Sequence, residues 1–132
     1  MGKKRVLLID DDDTFRRVLR ATIDGLGYDV IEVANGREAI AVFPVEGVDL
    51  VITDLLMPEK DGFELIRHLR RRAPGVPVIA MSGGGRIDSG LYLEVAEQLG
   101  ARWTLAKPFS KGDLENAIAA TLSDDQQPPR KT

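Results

Sequence analysis

Val6-Leu7-Leu8-Ile9-Asp10-Asp11 decides the fold: a short apolar run stops abruptly at two carboxylates. A continuous apolar run of this length, ended by polar residues, suits a strand covered on both faces, as in a parallel sheet. The construction recurs twice. Leu50-Val51-Ile52-Thr53 runs into Asp54, and Trp103-Thr104-Leu105-Ala106 runs into Lys107-Pro108. A buried strand delivers its last residue to the carboxyl edge of its sheet, so groups far apart in sequence can meet there. Together the three runs predict one acidic pocket of Asp10, Asp11 and Asp54 with the Lys107 ammonium beside it. Crowded carboxylates repel, and a shared proton or a bound divalent cation relieves the repulsion.

Outward from these runs, apolar stretches alternate with helical patterns, the signature of repeated βα units. Strands are predicted near Val6 to Ile9, Asp29 to Val33, Leu50 to Thr53, Val78 to Met81 and Arg102 to Ala106, the second having the weakest pattern. Phe15, Val18, Leu19, Thr22, Ile23 and Leu26 recur at helical spacing, as do Leu65, Ile66 and Leu69, and Leu114, Ala117, Ile118 and Leu122. Gly27, Gly47, Gly75 and Gly100 fall between a helical pattern and the next strand, where a left-handed cap is often needed. Asn35-Gly36 marks a further turn. Residues 123–132 carry no apolar side chain to bury and are expected to form a disordered tail behind a domain spanning 4–122.

A chain of 132 residues fits one domain and one buried core, with no second output domain expected. Its 18 basic and 21 acidic residues give a net charge of −3, so neither nucleic acid nor an anionic membrane is an expected partner. Without cysteine there are no disulfides, thiolate metal sites or cysteine nucleophiles. The basic start is followed by an apolar run too short for a signal peptide or a membrane span, which makes a cytoplasmic location the expectation.

Asp12 and Asp13, directly before a helical pattern, read as helix-capping acids. Asp10 and Asp11 sit at a strand end, where a carboxylate is partly buried, and read as functional. Asp54 ends its own strand before Leu55-Leu56-Met57-Pro58, and Lys107 can reach back over the carboxylates. Ser82 adds a hydroxyl at the end of Val78-Ile79-Ala80-Met81. These five positions at the ends of four strands describe a phosphoryl site with a carboxylate acceptor, metal-holding carboxylates, an ammonium and a hydroxyl donor. His68, beside Arg67 and Arg70 to Arg72, reads as helix surface.

In motif order the chain resembles the receiver domain of bacterial response regulators: Ile9-Asp10-Asp11, Thr53-Asp54-Leu55-Leu56-Met57-Pro58, Asp61-Gly62, Met81-Ser82-Gly83 and Lys107-Pro108-Phe109. The resemblance implies a doubly wound, flavodoxin-like α/β fold with a five-stranded parallel sheet of order 2-1-3-4-5 and helices on both faces. It implies that Asp54 is the phosphoacceptor. Asp10, Asp11, Asp54 and the backbone carbonyl of Leu56 would hold Mg²⁺, with Ser82 and Lys107 contacting the phosphoryl group. It further implies a signalling domain rather than an enzyme, fed by a histidine kinase or a histidine phosphotransfer protein, and acting as shuttle, relay or phosphate sink.

The chain departs from that family in three places. Thr104 stands where an aromatic is common, and adjacent Trp103 falls on the opposite side of the strand. The stretch from Gly83 to Gly90 is glycine-rich and expected to be mobile. Leu56 and Gly84 offer no polar side chain to orient an attacking water, so slow loss of the phosphoryl group is expected. Two rival readings remain at this point. Leu8-Ile9-Asp10-Asp11-Asp12-Asp13-Thr14 also fits a haloacid-dehalogenase-like phosphatase with Asp10 as nucleophile, although that leaves Asp54 without a role. The other is a receiver-shaped interaction module that is never phosphorylated.

Overall fold

The computed structural model describes residues 3–42, 47–55, 62–83, 89–123 and 130–131. Strands β1 (Arg5–Ile9), β2 (Asp29–Val33), β3 (Val48–Asp54), β4 (Val78–Ser82) and β5 (Trp103–Ala106) alternate with helices α1 (Asp13–Gly25), α2 (Gly36–Val42), α3 (Gly62–Arg72), α4 (Ser89–Leu99) and α5 (Lys111–Ser123). The strands pair in parallel with β1 and β3 side by side, giving the order 2-1-3-4-5. Parallel pairing sends every carboxyl terminus to one edge. Because Ile9 pairs with Thr53, the next residues on the two strands, Asp10 and Asp54, become neighbours there.

Side-chain alternation splits the interior in two. Leu7, Ile9, Val51 and Ala80 face Ala39 of α2, Leu65, Ile66 and Leu69 of α3, and Leu93 and Ala96 of α4. Val6, Leu8, Leu50, Ile52, Ile79, Met81 and Leu105 face Leu19 and Ile23 of α1 and Leu114, Ala117 and Ile118 of α5. Strands buried on both faces are apolar along their central positions, which is why β1, β3 and β4 carry the continuous apolar runs of the sequence. The pattern of β2 is weaker because it lies at the sheet edge, with only Val33 buried. No helix among the described residues is long and apolar enough to cross a membrane.

Several local expectations are corrected. Asn35-Gly36 opens α2 instead of forming a free-standing turn: the Asn35 side chain accepts from the Glu38 N–H at 2.9 Å, and the Glu38 carboxylate accepts from the Ala34 N–H at 2.8 Å. This reciprocal capping satisfies donors that a helix start leaves open. Gly27, Gly47 and Gly100 do have positive φ, but Gly75 does not. β3 begins at Val48, earlier than expected, because the Asp49 carboxylate accepts the Arg5 N–H at 2.8 Å and so serves the ladder despite its charge. Beyond the five expected strands, a short β6 (Arg130–Lys131) pairs in parallel with β5, while residues 124–129 and 132 of the expected tail lie outside the described residues. An open sheet edge offers unpaired backbone groups, and pairing with them needs no apolar side chain. The stretch 84–88, most of the loop expected to be mobile, lies outside the described residues, as do Leu56, Met57, Pro58 and Asp61.

Candidate functional site

Asp10 leaves β1 fully buried, and two donors hold its carboxylate: Oδ1 accepts from the Asp12 N–H and Oδ2 from Lys107 Nζ, each at 2.9 Å. Asp12 is the N-cap of α1, its side chain accepting from the Phe15 N–H at 3.0 Å, so the acid pair is tied to the first turn of that helix. Asp54 ends β3 with 7% of its surface exposed, and its Oδ1 lies 3.6 Å from Lys107 Nζ. Asp10, Asp11 and Asp54 each present an oxygen, all within 4.8 Å of one another. The sequence-predicted acids thus meet, with Asp11 on the exposed side.

Burial pushes the Asp54 carboxyl up to about 6. The negative charges of Asp10 and Asp11 push the same way, while Lys107 and a hydrogen bond from the Leu55 backbone oppose them. Three carboxylates against one ammonium leave two negative charges uncompensated in a partly buried pocket. A hard divalent cation matches both that charge and the all-oxygen donor set, so these residues fit Mg²⁺. The Leu56 carbonyl, the fourth expected ligand, lies outside the described residues.

Ser82 ends β4, one residue beyond Met81, the register partner of Asp54. It is fully buried, and its Oγ has no hydrogen-bond partner among the described residues. A buried hydroxyl without a partner is costly, and one at this edge is a donor in want of an acceptor. Lys107 follows β5, its N–H donating to the Ser82 carbonyl at 2.9 Å, so the backbone of β4 fixes where the lysine stem starts. The Lys107–Pro108 peptide is cis. Thr104 is buried on the α2–α4 side of the sheet, while Trp103 packs against the α1–α5 core, as strand alternation requires. His68 is half-buried on α3, less solvated than expected, because buried Leu69 and Leu65 share its turn of helix.

Two contributors escaped the sequence reading. Helical spacing marks Phe15 only as a position on the apolar stripe of α1, yet its ring centroid lies 4.1 Å from Lys107 Nζ and it stacks edge-to-face on Phe109 with centroids 6.1 Å apart. Arg16 is buried: Nη1 donates to the Asp10 carbonyl at 2.8 Å and pairs with Asp13 at 2.9 Å, while Nε donates to Glu32 of β2 at 2.9 Å. A signal for Arg16 was available, since it precedes buried Leu19 and Ile23 at three- and seven-residue steps and so puts a guanidinium on the apolar stripe of α1.

A family model described as the response regulator receiver domain matches residues 6–119. The chain is 32% identical over its whole length to the "Probable transcriptional regulator ycf27" of Cyanophora paradoxa, of which the match covers 54%. It spans about half the length of the curated relatives it matches. Among solved structures, the CheY-like receiver domain protein of Methanospirillum hungatei JF-1 superposes with TM-score 0.82 at 26% identity, covering 92% of this chain and 94% of that one. The chemotaxis response regulator CheY4 of Vibrio cholerae gives 0.80 at 27% identity, covering 92% and 100%. With the fold order, the acid cluster and the family match in agreement, the chain belongs to the response regulator receiver domain family.

Proposed function

We propose that Asp54 accepts a phosphoryl group from a phosphohistidine of a histidine kinase or a histidine phosphotransfer protein, and that the acceptance changes the surface offered to a protein target. The meeting of Asp10, Asp11 and Asp54 beside Lys107 carries this reading. An Asp54 carboxylate oxygen attacks phosphorus, and the phosphorus–nitrogen bond breaks as the oxygen–phosphorus bond forms. The imidazole leaves with the electron pair and takes a proton from water. The product is an acyl phosphate.

Asp10, Asp11 and Asp54 would hold Mg²⁺, which when bound neutralises negative charge on the transferring oxygens. Lys107 supplies the only other positive charge facing Asp54 among the described residues, and the unpartnered Ser82 hydroxyl supplies a donor. Phosphorylation replaces one negative charge by about two, with oxygens that accept strong hydrogen bonds. Attraction of Ser82 toward them would pull on Gly83 and the start of α4, altering the face made by α4, β5 and α5. Use of Asp10 as nucleophile is disfavoured, because both of its carboxylate oxygens are already engaged.

The test is incubation with Mg²⁺ and acetyl phosphate, followed by intact-mass measurement. One added phosphoryl group is expected in the wild type and none in Asp54→Asn. Phosphorylation that persists in Asp54→Asn and disappears in Asp10→Asn would reverse the assignment.

A further inference from the structure

Building on the proposed acceptor role of Asp54, we propose that Phe15 is a positioning residue for phosphoryl capture: its ring holds the Lys107 ammonium over the acid cluster without committing it to one carboxylate. Lysine carries a compact, strongly hydrated charge on a flexible stem, so its position must be set by what surrounds it. Three groups surround this one. Asp10 Oδ2 lies at 2.9 Å, Asp54 Oδ1 at 3.6 Å and the Phe15 ring centroid at 4.1 Å. The Lys107 side chain is 19% exposed, which leaves a solvent side to compete with the pocket.

The ring answers that competition in a way no further anion could. Its attraction for a cation comes from the electron-rich face and does not depend on the direction of any one N–H bond. An ammonium resting on it can therefore pivot from Asp10 toward Asp54 as negative charge accumulates there, losing little on the way. A second carboxylate in the same place would lock the lysine, and water would hydrate it. The ring is itself fixed, lying in the first turn of α1, three residues after the Asp12 cap that accepts its N–H, and meeting Phe109 at an interplanar angle of 86°.

Packing alone would make a weaker demand. Phe15 is half-buried and borders an open apolar groove lined also by Val18, Leu19, Phe109 and Leu114, where an aliphatic side chain would serve as well. The two roles separate in experiment. Phosphoryl uptake from acetyl phosphate with Mg²⁺ should slow about fivefold in Phe15→Leu, the change that ~1 kcal/mol makes. Phe15→Tyr should restore it. Pentafluorophenylalanine at position 15 keeps the ring's shape but inverts its charge distribution, and should slow uptake at least as much as leucine while leaving the melting temperature in place. In a Lys107→Ala background, Phe15→Leu should cause no further slowing, because the ring acts through the lysine.

Equal rates in wild type, Phe15→Leu and the fluorinated variant would overturn the inference and leave the Asp54 reading intact. Slowing by Phe15→Leu that persists undiminished without Lys107 would also overturn it, by assigning the effect to packing. Failure of the wild type to take up any phosphoryl group would instead remove the Asp54 reading, and the role of Phe15 with it.

Discussion

Asp54 is held in a form that costs stability. Its carboxyl sits at about 6 against an ordinary 3.8, with burial as the leading cause. A carboxyl that binds its proton more tightly folded than unfolded contributes stability that is present at low pH and lost as pH rises through about 6. Metal-free protein should therefore melt at a lower temperature at pH 7.5 than at pH 5. Asp54→Asn should flatten that dependence and stabilise the metal-free protein at pH 7.5 by up to about 3 kcal/mol, measured by denaturant unfolding. A variant less stable than wild type at pH 7.5 would contradict the strain ascribed to this site. The family resemblance sets a second expectation. With Leu56 and Gly84 lacking polar side chains, the acyl phosphate should be long-lived, and Leu56→Asn should hasten its hydrolysis. An unchanged rate of phosphoryl loss would count against that account. The strand-end residues could be read from sequence because each ends an apolar run. Phe15 could not, since a phenylalanine at helical spacing looks the same whether it meets a core or an ammonium.

At the scale of elements, the start of α3 is built around Asp54. The Gly62 N–H donates to the Leu55 carbonyl at 2.8 Å, and a Cβ at position 62 would meet the Asp54 carbonyl oxygen and lie 2.6 Å from Leu55 Cα. These are backbone atoms and cannot swing aside. Gly62→Ala should thus cost about 1–3 kcal/mol of stability and, by displacing the end of β3, slow phosphorylation of Asp54. Chemical denaturation beside a phosphorylation time course would check both; an alanine variant with wild-type stability would show that helix and strand can part freely. Element boundaries were legible where burial wrote them into the sequence, as in β1 and β4. Where polar side chains make the structure, the sequence pattern does not show it: Asn35 caps α2, and Asp49 of β3 accepts the backbone N–H of Arg5 on β1. Side-chain capping leaves only a turn-like residue as its trace.

At the scale of the molecule, the parallel order 2-1-3-4-5 brings four separate strand ends to one edge of the sheet. That order came from the resemblance; the alternation of runs gave five βα units but not their arrangement. The short β6 lay beyond sequence reading, because its pairing rests on backbone groups at an open edge. The account as a whole stands on one electrostatic claim, that Asp10, Asp11 and Asp54 share a single cation. Calorimetric titration of the protein with Mg²⁺ at pH 7.5 tests it most directly. One ion per chain is predicted, with affinity reduced about tenfold or more in both Asp10→Asn and Asp54→Asn; binding that is absent from the wild type, or as strong in the two variants as in the wild type, would contradict it.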